Sequence, residues 1–404
     1  MTKRLYYNDT FLYEFDATVA RVIEGEKAAI ILDQSAFYPT SGGQVFDQGK
    51  LVSNGNEIRV RQVEEDESGE VIHYINPADL GKTARGAQVK GIIDAGRRRD
   101  HMQQHSGQHV LSAAFERLYQ MPTVSFHMGE EFCTIDLAAK GIAGVQLVAA
   151  EKLANDVVFQ NRPVSIKYVA LEEAKQLGLR KLPEAGKEEL RLIDIQGVDI
   201  CACGGTHVLS TGQIGPILVR KSEKVKQGFR VEFVCGDRAL KTARKDFEVL
   251  TRAAALFSTN IWEVPAQITK TLDDIKSAQK SQHKLLEELA EFWACELAVS
   301  APSQDSFKRV KHVFADRDLA FVKMLAQKLG KQQGIVALLG TTLGQPAIVF
   351  SRSQDVDVDV SALMKEAMSA VGGRGGGTKD LAQGGVPEAS RVPSLLDEVV
   401  AKLK

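Results

Sequence analysis

The chain has almost no net charge: 51 Lys and Arg residues stand against 52 Asp and Glu over 404 residues. A nucleic-acid partner would have to be met by local basic patches, because the overall charge favours none. No apolar run approaches the roughly 18 to 20 residues that a membrane-spanning helix needs. The opening Met1-Thr-Lys-Arg-Leu-Tyr-Tyr-Asn8 also lacks the apolar segment of a secretory signal. The cytoplasm is the expected compartment, with no membrane partner. Cysteine is scarce and odd in number, at positions 133, 201, 203, 235 and 295, which argues against a disulfide framework. Charged residues at 25% and apolar residues at 44% are ordinary globular values, and 404 residues exceed one core, so two or three domains are expected.

Two pairs of metal-type residues stand out: His105-x-x-x-His109 and, much later, Cys203-Gly-Gly-Thr-His207. One thiolate and three imidazoles make a complete tetrahedral set of the kind zinc prefers. Residues i and i+4 of a helix share a face, so His105 and His109 can point at one ion. Gly204-Gly205 implies a tight loop whose backbone passes close to something. His101 and Cys201 are spare candidates, one of them a turn before His105 and the other two residues before Cys203. The pattern is not the metalloprotease HExxH, since Ser106 stands where the Glu base would be.

The first 95 residues read as a small β-barrel-like domain. The runs Phe15–Ile23, Ala28–Leu32 and Ile58–Val63 are broken by turns at Asn54-Gly55 and Ser68-Gly69. Asp100, with Gln103 three positions on, reads as the capping box of a helix over 101–119. On a helical wheel His101, His105, His109, Ser112 and Glu116 lie within about 40° of one line, opposite Val110, Leu111, Ala114 and Leu118. The histidines are therefore off the apolar stripe. Short strands at 134–137, 164–168 and 231–234 alternate with helical stretches at 144–160 and 171–177, predicting an α+β domain over 96–250.

A heptad pattern then runs from Ile261 to about Leu297. Ile261, Ile268, Ile275, Gln282 and Leu289 form one series and Val264, Thr271, Ala278, Leu285 and Phe292 the other. It predicts a helical, coiled-coil linker over 251–300 that pairs with another chain or folds back on its own. The segment 301–404 has strand-like runs at Gly334–Leu339 and Ala347–Phe350 and a glycine-dense loop at Gly372–Gly377, and reads as a C-terminal α/β domain. The fold class overall is α+β.

Other motifs admit two readings each. In Phe37-Tyr-Pro-Thr-Ser-Gly-Gly-Gln44, Gly42 and Gly43 let the backbone turn closely past a small ligand, while Thr40, Ser41 and Gln44 offer hydroxyl and amide partners; these residues alone favour a plain β-turn between strands. Gly372–Gly377, flanked by Arg374 and Lys379, suits contact with phosphates or a flexible linker. The clusters Arg97-Arg98-Arg99 and Arg220 to Lys226 suit a nucleic-acid backbone or plain solvation.

Taken in order, SGGQ, HxxxH, CGGTH with Thr211-Gly-x-Ile-Gly215, and GGxGGG with a following Ala-Gln-Gly-Gly resemble the editing and C-terminal regions of alanyl-tRNA synthetase. The SGGQ element comes so early that no aminoacylation domain is expected before it. The chain in this respect resembles the long, free-standing alanyl-tRNA editing proteins of AlaX type. The resemblance implies a zinc-dependent hydrolase acting in trans on tRNA(Ala) charged with serine or sometimes glycine. It makes His105, His109, Cys203 and His207 the zinc ligands and puts Thr40 and Gln44 by the aminoacyl group. Thr206 or Gln44 is then a candidate to hold the attacking water. The resemblance further implies a C-terminal domain of DHH-associated type that binds tRNA and supports a homodimer. Two rivals stay open at this point: a zinc-stabilised RNA-binding protein without catalysis, and editing of another ester such as threonyl-tRNA.

Overall fold

In the computed structural model, which describes residues 1–177, 179, 189–226, 228–304 and 306–403, the 10-residue strand Glu14–Ile23 organises the N-terminal region. Its first half pairs antiparallel with Gln88–Ile93 and its second half with Ala29–Leu32. A register shift between Val19 and Arg21 marks the bend between the two halves. The resulting antiparallel sheet runs Asn56–Val60, Gly49–Ser53, Gln88–Ile93, Glu14–Ile23, Ala29–Leu32, Val71–Tyr74, Gln62–Glu65. Its two edge strands are joined by Arg61 alone, so the sheet has to curl around one core, filled by Phe15, Val19, Leu51, Ile58, Val60 and Val63. The expected run Ile58–Val63 is thus split between two strands, while Asn54-Gly55 forms the two-residue hairpin turn its sequence predicts.

Helix α1 spans Ala95–Tyr119 and begins earlier than its sequence implies. The N-cap is Asp94, whose carboxylate accepts from the Arg97 N–H; Asp100 sits inside the helix and pairs instead with Arg238. One side of α1 packs Met102, Val110, Leu111, Ala114 and Phe115 into a core shared with a four-stranded antiparallel sheet ordered Thr123–Met128, Cys133–Leu137, Gly228–Cys235, Ile217–Val225. Leu118, expected on that side, is 42% exposed. The histidine side is off the apolar stripe as predicted, yet it is buried as well, because two loops cover it: Ser41–Gln44 and Cys203–His207. Helices α2 (Gly144–Phe159) and α3 (Leu171–Gln176) follow where expected. A three-stranded sheet, Val164–Ala170, Glu189–Ile195, Asp199–Ala202, delivers the chain to the Cys203 loop. These elements belong to the compact unit Met1–Arg252, which the start of helix α4 (Gly236–Leu256) completes.

The second unit, Ala253–Lys404, contains helix α5 (Val264–Ser300) and a mixed six-stranded sheet. The sheet is ordered Ser303–Gln304, Phe307–Phe314, Ile335–Thr341, Ala347–Arg352, Leu381–Gly385, Arg374–Gly377. Helix α6 (Leu319–Leu329) carries the crossover between its two parallel strands, Phe307–Phe314 and Ile335–Thr341. Ile335–Thr341 is buried on both faces, by α5 and α6 on one side and by α7 (Val360–Val371) and α8 (Arg391–Lys402) on the other, which explains its unbroken apolar run. One expectation is corrected here and another is left open. Within α5 the residues fully packed into the sheet's core are Ala290, Ala294 and Ala298, while of the heptad series Val264 is buried, Leu289 packs partly, and Ile268, Ile275, Leu285 and Phe292 are exposed; the last turns of the helix meet the sheet. The glycine-dense segment is not a loop: Gly372 caps α7, and Arg374–Gly377 is the sheet's edge strand.

Candidate metal centre and active site

His105, His109, Cys203 and His207 come together in the first unit, their ligand atoms all within 4.8 Å of one another, in a group that could hold a metal ion. Cys203 Sγ lies 3.4 Å from His105 Nε2 and 3.3 Å from His207 Nε2. Bond lengths and tetrahedral angles at zinc would put such sulfur and nitrogen atoms about 3.5 Å apart. The donor set and its spacing therefore fit that ion.

Each imidazole is held by its other nitrogen. His105 Nδ1 donates to Gln44 Oε1 at 2.7 Å, His109 Nδ1 donates to Asp199 Oδ2 at 3.0 Å, and His207 Nδ1 is 3.1 Å from Ser106 Oγ. The first two bonds end on pure acceptors, which fixes the Nδ1–H form and leaves Nε2 for the centre. Gln44 is itself fastened: its Oε1 also accepts from the Thr206 N–H at 3.1 Å, and its Nε2 donates to Thr206 Oγ1 at 2.8 Å. Gly205 in the Cys203 loop and Gly43 in the Ser41–Gln44 loop cannot be replaced without a clash. A Cβ on Gly205 would meet His105 Cε1 at 2.2 Å, and one on Gly43, whose φ is +84°, would meet the Phe126 carbonyl oxygen at 2.5 Å.

Protonation follows from this packing. Burial alone would lower His109, but Asp199 and Cys203 outweigh it and raise its pKa to about 9. Burial brings His207 down to about 3. Burial would raise the Cys203 thiol, yet His105 and His207 hold it well below its usual value.

A cleft of about 320 Å³ opens over this group, with His105, His109, Cys203 and Gly205 beneath and Tyr38, Ser41, Gly42 and residues 122–126 around it. The residues expected at the site divide accordingly. Ser41 and Gly42 form the rim, and Gly43 packs against Phe126. Gln44 and Thr206 are fully buried and turn toward each other, outside the cleft lining. Thr40 is exposed and also outside that lining. His101 is buried one turn from His105, apart from the four-residue group, with no partner for Nδ1 among the described residues; burial and Arg97 bring its pKa to about 3. Cys201 forms a second possible group with His109 and Asp199.

Of the expected nucleic-acid contacts, Arg98 is contradicted. It is fully buried, pairs with the equally buried Asp47, and donates to the Thr10 and Ala36 carbonyls, so no polynucleotide reaches it. Arg97 is half-buried with its Nε on the Phe46 carbonyl. Arg374 and Lys379 are exposed in the second unit. The sequence motifs do not point to Asp199, Ser106 or Asp47. A signal for Asp199 is nonetheless present in Asp199-Ile-Cys201-Ala-Cys203, whose alternate residues share one face of a strand.

Residues 2–97 match the family described as tRNA synthetases class II (A), 190–231 the threonyl and alanyl tRNA synthetase second additional domain, and 311–404 the DHHA1 domain. The chain is 32% identical to the alanine–tRNA ligase of Pyrococcus abyssi over 100% of its own length and 44% of that enzyme's. It therefore spans less than half of such relatives; for the ligase of Pyrococcus furiosus the figures are 31% identity and, again, 44% coverage. Against the alanyl-tRNA editing protein AlaX-L of Pyrococcus horikoshii it is 30% identical, covering 100% of this chain and 99% of that protein. With the metal-type group, the covering loops and this end-to-end match together, the chain belongs to the family of the alanyl-tRNA editing protein AlaX-L.

Proposed function

We propose that the chain is a trans-editing hydrolase that deacylates tRNA(Ala) carrying the wrong amino acid, chiefly serine and also glycine, at a zinc site. The observation that carries this reading is that Cys203, His105 and His109, three of the four metal-type residues, line an open cleft that Ser41 and Gly42 also line. The match along nearly the whole length of an alanyl-tRNA editing protein supports the substrate class.

His105, His109, Cys203 and His207 would hold the ion. Bound there, zinc supplies Lewis acidity, which polarises a carbonyl or lowers the pKa of water toward about 7. The rest is done by the protein. Gln44 and Thr206 are positioning residues that lock His105; neither faces the ester. Asp199 does the same for His109, and Ser106 for His207. Ser41 and Gly42 stand where a terminal ribose would enter, and Arg97 is the nearby cation for its phosphates. An aminoacyl ester is already activated compared with an amide, so an open cleft suffices to expose it to water. Arg374 and Lys379 give the C-terminal unit its contact with tRNA, and that unit also supports self-association.

The test is release of amino acid from a panel of mischarged tRNAs. Serine release from Ser-tRNA(Ala), with Ala-tRNA(Ala) spared, is the expected result. Preference for Thr-tRNA, or no release from any ester, would overturn it.

A further inference from the structure

Gln108 lies on the cleft floor beside the metal-type group, where neither that group nor its supports use it. It shares a face of α1 with His105 and His109 and is 6% exposed. Its Nε2 donates to Ser112 Oγ at 2.8 Å, and the same oxygen accepts from Thr123 Oγ1 at 2.6 Å, which holds the amide in one orientation. Thr123 also lines the cleft. Oε1 of Gln108 accepts no hydrogen bond from the described residues and is not among the atoms sealed off by packing.

Resting on the function proposed above, we infer that Gln108, oriented by Ser112 and Thr123, reads the side-chain hydroxyl of a seryl group and sets the preference for serine over glycine. The argument is one of depth and chemistry. The rim residues Ser41, Gly42 and Gly204 are exposed, whereas His105, His109 and Gln108 are buried. An aminoacyl group at the end of a polynucleotide leaves its ribose at the rim and carries its amino acid to the floor. With the ester against the metal-type group, the side chain comes to the neighbouring floor residue. Apolar contact distinguishes a hydroxymethyl group from hydrogen only weakly, but an open acceptor that takes the hydroxyl proton is left unpaired by glycine.

The experiment compares hydrolysis of Ser-tRNA(Ala) and Gly-tRNA(Ala) by the full chain and by Gln108→Met, which keeps length and volume but removes the amide. The ratio of kcat/KM for serine over glycine is expected to fall roughly tenfold or more, with zinc content and thermal midpoint unchanged. Thr123→Val, which releases the Ser112 hydroxyl, is expected to move the ratio in the same direction by less. Equal loss on both substrates overturns the assignment, because Gln108 then serves a group both share; an unchanged ratio overturns it too. Should the methionine variant lose zinc or fail to fold, Gln108→Glu, which retains an acceptor oxygen, decides: a retained serine preference supports the assignment and a collapsed one overturns it. A wild-type chain that releases neither amino acid overturns the editing function, and this assignment with it.

Discussion

Asp199 Oδ2 accepts a hydrogen bond from His109 Nδ1 at 3.0 Å, with both side chains 4% exposed. A carboxylate in that place fixes the ring, selects its tautomer and raises its basicity as a ligand. Asp199→Asn keeps the shape and removes the charge. Zinc affinity, measured by competition with a chromogenic chelator, is expected to fall about 10- to 100-fold, with deacylation lost in proportion at limiting metal and recovered in part at excess. Unchanged affinity would remove Asp199 from the site.

Cys203 is the lone sulfur in a cluster of imidazoles, and its low thiol pKa reflects their pull. Cys203→Ala and His109→Ala are each expected to abolish serine release and to leave the purified chain without stoichiometric zinc. Chelation of wild-type protein should do the same, and added zinc should reverse it. Full deacylation after chelation would end the metal's catalytic role.

What could be read in advance follows the range of the interactions. The four metal-type residues and the SGGQ loop are carried by residue type and short spacing, so they are legible in the sequence. Arg98 is not, because it stands within a basic triplet and only the burial of Asp47, 51 positions away, decides which of three arginines turns inward. The start of α1 is ambiguous because Asp94 and Asp100 are both competent caps, and the choice depends on where Gln88–Ile93 releases the chain. In α5 the apolar period gives a face but not its partner, and the alanines that actually pack carry the weaker sequence signal. Arg374–Gly377 has a composition that reads as loop, and its pairing with Leu381–Gly385 makes it a strand.

Arg98 and Arg97 are adjacent and should behave oppositely. Arg98→Met leaves Asp47 buried without its cation, which typically costs about 3–5 kcal/mol; a large drop in the denaturation midpoint is expected, through folding rather than tRNA affinity. Arg97→Ala should cost no more than about 1 kcal/mol and instead raise KM for the mischarged tRNA. The reverse pattern would return Arg98 to the binding surface.

Arg374 and Lys379 are exposed cations on and beside the edge strand of the second unit. Charge reversal at both is expected to weaken binding of deacylated tRNA(Ala) and to reduce the slope of log affinity against log salt by about two. Serine release from a saturating concentration of mischarged tRNA should persist. Binding with an unaltered salt slope would show that the polynucleotide passes elsewhere.

His73 gives the N-terminal sheet its own response to acid. Its ring is fully buried, with Nε2 2.8 Å from Ser35 Oγ and Nδ1 3.0 Å from the Ile30 carbonyl, and burial pulls its pKa from 6.5 down to about 4. Between those two values the unfolded chain binds the proton and the folded chain does not, so stability rises with pH across that window. The contribution of neutral His73 is complete above pH 6.5 and is lost as pH falls through about 4. It amounts to a few kcal/mol, because each tenfold change in proton affinity is worth about 1.4 kcal/mol. Urea unfolding followed from pH 7 to pH 4 should show this loss in wild type and a flatter profile in His73→Gln, whose amide has both a donor and an acceptor for Ser35 and Ile30 but takes up no proton. Identical slopes for the two proteins would mean that His73 is not held neutral in the folded sheet.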